Sequence, residues 1–237
     1  MIRTFLAGAS LALAVVLLLP WLVLWSLLTG KPDLMYRMAM NLIRLETRLL
    51  GIEVCVKGLE NVPPRPCVFV ANHASNVDPM VMMPVIPRRV GILVKRELFR
   101  IPIFSTAMRL AQFVPVDRSG RESTGVAVST VVENLKKGFS YVIFSEGTRS
   151  PDGRMRPFKR GALTMTMEAG ASIVPVSIGG THRLLGKGKA IVRPGPATVQ
   201  FGSVMDASSY QKEQRAQLLD RVEALVAAGL PSDQQPL

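Results

Sequence analysis

The sequence predicts an α/β fold: a mixed, largely parallel sheet flanked by helices, carried behind an N-terminal apolar helical anchor. Three observations lead there. From Gly51 onward, short β-branched runs alternate with segments of helical periodicity, the pattern of a layered α/β domain. The polar, chemistry-bearing clusters fall just past strand-like runs, where such folds carry their reactive loops. Ahead of all this, Thr4–Gly30 holds no charged residue. The 237 residues therefore divide into a membrane-anchoring segment at 1–50, a domain at 51–230 and a polar tail at 231–237 expected to be disordered.

As a helix, Thr4–Gly30 would be roughly 40 Å long at about 1.5 Å per residue, enough to cross a bilayer. Trp21 and Trp25 lie toward its far end, where interfacial aromatics sit. Pro20 keeps a second geometry open, a kinked or re-entrant hairpin within one leaflet. A cleaved signal peptide fits less well, because the run is long and no small-x-small site ends it. If the segment spans, Lys31, Arg37, Arg44 and Arg48 after it, against Arg3 before it, place the remainder in the cytoplasm, at the inner membrane. Pro32–Leu50 reads as a second helix with Arg37, Arg44 and Arg48 on one stripe. An interfacial helix and the solvated face of a packed helix satisfy that pattern equally.

In the domain, strands are expected at 52–57, 66–71, 90–94, 112–116, 140–145, 172–178, 189–193 and 197–202. Helices are expected at 76–85, 102–110, 121–137, 159–169 and 207–228. Lys136-Lys137-Gly138 is a helix stop, with cations in the last turn and glycine after it.

A net charge of +12 suits an anionic partner, whether a membrane surface or a phosphorylated substrate. Nucleic acid is disfavoured: aromatics are only 6%, and no basic run is interleaved with them as a stacking platform requires. Cys55 and Cys67 form neither a disulfide framework nor a zinc pattern, which points to a reducing compartment and to no metal site.

The most informative stretch is Asn72-His-Ala-Ser-Asn-Val-Asp78. A general base near neutral pH needs a partner that fixes its tautomer, and Asp78 is placed to be that partner for His73. Five residues is poor spacing within one helix. It works if His73 lies on the turn after a strand and Asp78 in the first turn of the following helix. A second block, Phe144-Ser-Glu-Gly-Thr-Arg-Ser150, also follows an apolar run. Gly147 permits a sharp turn, Glu146 can accept hydrogen bonds, and Arg149 offers a planar fork for phosphate. Two more blocks, Phe113–Arg118 and Val94–Phe99, put Arg118 and Lys95 just past strands. Three cations beyond three strands fit a phosphate pocket.

Together these blocks resemble the glycerolipid acyltransferase family, and most closely its 1-acylglycerol-3-phosphate (lysophosphatidate) acyltransferases. Asn72, His73 and Asp78 match the first motif, Phe113–Arg118 the second, Phe144–Ser150 the third and Ile173-Val-Pro-Val176 the fourth. The resemblance implies a glycerol-3-phosphate acyltransferase-like fold. It further implies transfer of a fatty acyl group from acyl-CoA or acyl-ACP to the sn-2 hydroxyl of a membrane lysophospholipid, giving phosphatidic acid. His73 would be the base and Asp78 its orienting partner. Lys95, Arg118, Glu146, Gly147, Thr148 and Arg149 would bind substrate, with Glu146 either on the glycerol or bracing the motif. No cofactor beyond the acyl donor is implied. Backbone N–H groups near Ser75 are candidate oxyanion donors. Cys67 reads as a packed apolar residue, and Met80, Met82 and Met83 as core rather than an acyl-chain slot. His182 reads as a loop residue. Three departures stand out: Ser145 where the family has proline, Ala111-Gln112 where a small glycine-type residue is common, and Ser105 in place of glycine. Two other readings compete: acylation of a different lyso-lipid, such as a lyso-ornithine lipid, and a non-catalytic membrane lipid-binding protein.

Overall fold

The computed structural model describes residues 1–117 and 121–236. Two long helices, α1 (Ile2–Thr29) and α2 (Asp33–Leu49), precede the domain. The domain then runs β1 (Ile52–Lys57), β2 (Cys67–Ala71), α3 (Asp78–Met82), β3 (Val90–Lys95), α4 (Pro102–Leu110) and β4 (Val114–Val116). It continues through α5 (Arg121–Lys136), β5 (Ser140–Phe144), α6 (Gly161–Ala169), β6 (Ser172–Gly179) and α7 (Thr181–Leu184). It ends with β7 (Gly195–Phe201), β8 (Met205–Asp206) and α8 (Arg215–Ala228).

The strands form one sheet in the order β1-β7-β6-β2-β5-β3-β4, with β8 on β6. All pairings are parallel except those of β6 with β7 and β8. Successive residues of a strand face opposite sides, and here both sides are covered. Phe69, Val142, Val174 and Val176 pack with Met82 of α3 and Tyr36 and Met40 of α2. Val68, Val70, Ile143 and Ile173 pack with Val131 of α5, Leu163 of α6 and Val222 of α8. Burial on both faces is why the central strands read as unbroken apolar runs.

One tight packing point ties β3, β5 and the turn into β4 together. A Cβ on Gly91 would lie 2.5 Å from the Gln112 carbonyl oxygen and from the Tyr141 ring. The Tyr141 hydroxyl donates to that carbonyl at 2.9 Å and accepts from Asn134 Nδ2 at 2.6 Å. Gln112 itself has φ 63°. That left-handed conformation costs a non-glycine residue about 1 kcal/mol, so the small residue the family favours here has a steric reason, and this chain bears the strain instead.

Three expectations require correction. Residues 189–193 form no strand: both edges of β7 are already taken, by β1 and β6, so the segment has no edge to join. The last helix begins at Arg215 rather than at 207, after two short 3-10 turns. The tail is ordered over the described residues: Ser232–Gln234 form a 3-10 turn and Gln234 is fully buried.

Helix α1 is attached to the domain near both ends. Thr4 Oγ1 donates to the Val192 carbonyl at 3.3 Å and accepts the Val192 N–H at 3.1 Å. Val23 packs with Met35 of α2 and Ala107 of α4. Between them, Ser10 Oγ donates to the buried Glu46 of α2 at 2.8 Å. The outer face of α1 remains apolar and exposed, with Trp21 and Trp25 71% and 52% accessible. A helix fastened in this way lies alongside the domain, and it runs unbroken through Pro20. Arg37, Arg44 and Arg48 of α2 are all exposed. The chain has only two tryptophans, both exposed on that face, so tryptophan fluorescence reports α1 alone. Anionic phospholipid vesicles should shift the emission to shorter wavelength. Unchanged emission with protein co-sedimenting on the vesicles would place the lipid contact elsewhere.

Candidate active site

The strands β6, β2, β5 and β3 are neighbours and mutually parallel, so their carboxyl ends share one edge of the sheet. That edge collects Thr181, His73, Glu146 and Lys95 from four separate stretches of chain. Asn72 closes the end of β2: its Nδ2 donates to the Ile178 carbonyl at 3.0 Å, and its Oδ1 accepts the Ile178 N–H at 2.8 Å. The side-chain amide thus continues the β2–β6 ladder by one rung, and His73 follows at a fixed height.

His73 is held at backbone and ring alike. Its N–H donates to Glu146 Oε1 at 2.7 Å, and its carbonyl accepts the Ser150 N–H at 2.8 Å. The ring stacks on Phe144 with centroids 4.3 Å apart. Nδ1 lies 2.8 Å from Asp78 Oδ2. The same oxygen accepts the N–H groups of Ala74 and Ser75 at 2.8 and 2.9 Å. A carboxylate oxygen that already accepts these two backbone bonds has no proton to give, so Nδ1–H is the donor, which leaves Nε2 as the ring's acceptor. The turn-then-helix geometry expected for the pair is therefore present, with Asp78 opening α3. Of the backbone N–H groups near Ser75 expected as candidate oxyanion donors, those of Ala74 and Ser75 are spent on Asp78 and that of Val77 on Ser75 Oγ.

His73 borders a cavity of about 450 Å³. Polar groups at its wall come from Asn76, Lys95, Asp117 and Lys159; Leu93, Val94, Leu98, Val116 and Met165 supply an apolar lining. Gly147 has φ 72°, and a Cβ there would come within 2.9 Å of Lys159 Nζ. The glycine is needed both for the turn and to admit that lysine. Ser145, in place of proline, donates its N–H to the Ala71 carbonyl at 3.1 Å, a bond that proline cannot make. Its carbonyl accepts the Lys159 N–H at 2.7 Å, which brings the segment before α6 to the cavity.

The expected residues divide as follows. His73, Lys95 and Gly147 line the cavity, with Lys95 also 3.1 Å from Glu97. Glu146 is buried beneath it and turned toward the His73 backbone. Thr148 and Arg149 are half-buried and stand outside the lining; the Arg149 carbonyl accepts from Lys187 Nζ at 3.2 Å. Arg118 lies outside the described residues. Met82 and Met83 belong to the core. His182 is in α7 rather than a loop, its ring packed against Gly153. Burial pushes the Cys67 thiol up to about 11, which leaves too little thiolate for a nucleophile. Sequence reasoning missed Lys159 and Thr181. Only their position just beyond or before regular elements hinted at either.

A cleft with an oriented histidine and an apolar wall, at the carboxyl edge of a largely parallel sheet, defines an α/β enzyme suited to proton abstraction beside an apolar substrate. The comparisons narrow the class. The Acyltransferase family model matches residues 53–179. A 1-acyl-sn-glycerol-3-phosphate acyltransferase of Pseudomonas aeruginosa is 33% identical over 75% of this chain and 68% of its own length. One from Cocos nucifera is 33% identical over 80% of this chain, which spans 61% of that relative's length. The crystal structure of the 1-acyl-sn-glycerophosphate (LPA) acyltransferase PlsC from Thermotoga maritima superposes with a TM-score of 0.80. It is 29% identical and covers 96% of this chain, with 93% of its own length matched. The chain belongs to the acyltransferase family.

Burial raises the Glu146 carboxyl from 4.5 to about 7, against the opposing N–H groups of His73 and Arg156. A group whose folded pKa lies above its unfolded value favours folding at low pH, and that advantage is lost as pH rises through the folded value. Glu146→Gln keeps an acceptor for the His73 N–H and has nothing to ionise. Its melting temperature relative to the native chain should therefore climb as pH rises from 4.5 to about 7. A constant difference across that window would show that Glu146 ionises without cost.

Proposed function

We propose that this enzyme transfers a fatty acyl group from a thioester, carried by coenzyme A or acyl-carrier protein, to the sn-2 hydroxyl of 1-acyl-sn-glycerol-3-phosphate. The product is phosphatidic acid, and the reaction runs at a membrane surface. The observation that carries this reading is the His73 ring: Nδ1 held by a buried carboxylate, Nε2 left as acceptor, at the wall of a partly apolar cavity. The names of the similar enzymes support the acceptor.

A secondary alcohol is a weak nucleophile. His73 Nε2 takes its proton as the oxygen attacks the thioester carbonyl, and Asp78 stabilises the imidazolium. Collapse of the tetrahedral adduct breaks the C–S bond. The departing sulfur takes the proton from His73, so ester and free thiol leave together and the base is restored. Transfer is direct within a ternary complex. Lys95 and Lys159 at the cavity wall form the cationic side that fixes the acceptor phosphate and so positions its hydroxyl, a role the matched motifs also assign to Arg118 and Arg149. Glu146 acts through the His73 backbone rather than on the glycerol. The apolar lining takes acyl chain, and the outer face of α1 sits in the lipid, with the domain on the cytoplasmic side.

Acyl transfer by the purified chain in vesicles, offered lysophosphatidate with acyl-CoA or acyl-ACP, tests this. His73→Ala should lower kcat roughly 10²- to 10⁴-fold and leave a measurable residual rate. Lys159→Ala should raise KM for lysophosphatidate by roughly tenfold, about 1.4 kcal/mol of phosphate contact, with a smaller effect on kcat. Turnover only with phosphate-free lyso-lipids would move the acceptor. No turnover with any acceptor would favour a lipid-binding protein.

A further inference from the structure

We infer that Thr181 is a positioning residue for the acyl-transfer dyad, fixing the Asp78 carboxylate through the oxygen that His73 does not use. This rests on the reading of His73 as the base. Asp78 Oδ2 is shared by the donors of His73, Ala74 and Ser75. A carboxylate held by one oxygen can still rock about its Cβ–Cγ bond and carry that oxygen off the imidazole N–H axis. The second oxygen, Oδ1, accepts from Thr181 Oγ1. With both oxygens held, the carboxylate plane is set.

The contact is not one that a threonine makes by default. Thr29, Thr164 and Thr166 each donate to the carbonyl four residues back along the chain. Thr181 instead reaches a carboxylate 103 residues away. Thr181 and Asp78 are both 0% exposed, so water does not substitute for the hydroxyl. A β-branched side chain also has few χ1 states, which preorganises the donor.

The turn that presents Thr181 is itself fixed. Gly180 has φ 85°, and a Cβ there would lie 2.6 Å from the Pro196 carbonyl oxygen. Its N–H donates to Gln234 Oε1 at 2.7 Å. The Gln234 carbonyl accepts the Met155 N–H at 2.8 Å. The C-terminal segment thus backs the turn whose next residue holds Asp78.

The test is steady-state acyl transfer to lysophosphatidate by the full chain and four variants: Thr181→Val, Thr181→Ser, His73→Ala, and the His73→Ala/Thr181→Val double. Valine keeps the shape and removes the hydroxyl. Thr181→Val should lower kcat roughly 10- to 100-fold and leave both KM values within about twofold. Thr181→Ser should recover most of the rate. The double variant should be no slower than His73→Ala, because residues that act as one unit are not additive. Native kcat in Thr181→Val beside a slowed His73→Ala overturns the role of Thr181 alone. So does a serine variant as slow as valine, or a double variant slower than His73→Ala. Native kcat in His73→Ala overturns the base, and the positioning role with it. Should Thr181→Val lose cooperative melting, Thr181→Ser against Thr181→Ala supplies the same contrast: a faster serine variant upholds the role, and equal rates overturn it.

Discussion

Everything at the site depends on one buried carboxylate. Asp78 is completely enclosed, and its two oxygens accept from His73 Nδ1, two backbone N–H groups and the Thr181 hydroxyl. A bare carboxylate in that position would cost several kcal/mol. The donors offset that cost, and in doing so they fold the segment Asn72–Asp78 into the one shape that points the histidine at the cavity. Local structure and chemistry therefore share a cause: the turn exists because the carboxylate must be satisfied, and the base is oriented because it is one of the satisfying groups.

The sheet makes those donors available. Asn72 extends the β2–β6 ladder with its side chain, and Ser145 extends the β2–β5 connection with its N–H. Neither contact touches substrate. Both set the height at which His73 and the Glu146 loop emerge. The proline-to-serine departure takes on a definite meaning here: a rigid residue is exchanged for a hydrogen bond to Ala71. The strained Gln112, next to the Gly91–Tyr141 contact, is a second place where this chain holds its geometry by tertiary contact rather than by the residue that local conformation prefers.

The dyad was legible in the sequence because its two members lie five residues apart, so strand, turn and helix start could be read in one short stretch. Most strands were legible because burial on both faces makes them uniformly apolar. Thr181 and Lys159 were not, since their places at the dyad and the cavity follow from strand order and from a loop folding back over Ser145, and locally each shows only a position beside a regular element. The segment 189–193 shows the converse: its β-forming residues predict a strand, but pairing needs a free edge and the neighbouring strand has none. The polar tail misled for a similar reason. Composition predicts disorder, yet Gln234 is fully enclosed because the turn at Gly180 offers its side chain a donor.

The central claim is that the negative charge of Asp78, and not merely its shape, sustains proton abstraction by His73. Asp78→Asn is the direct measurement, read as acyl transfer beside equilibrium binding of lysophosphatidate. The amide can keep the backbone donors of Ala74 and Ser75 on its oxygen while the Thr181 hydroxyl turns to accept from its nitrogen, so the fold and the binding should survive. The account predicts a loss in kcat of roughly 10²- to 10⁴-fold with binding unchanged. A variant that binds and turns over at the native rate would contradict it, and would leave Asp78 as structural support alone.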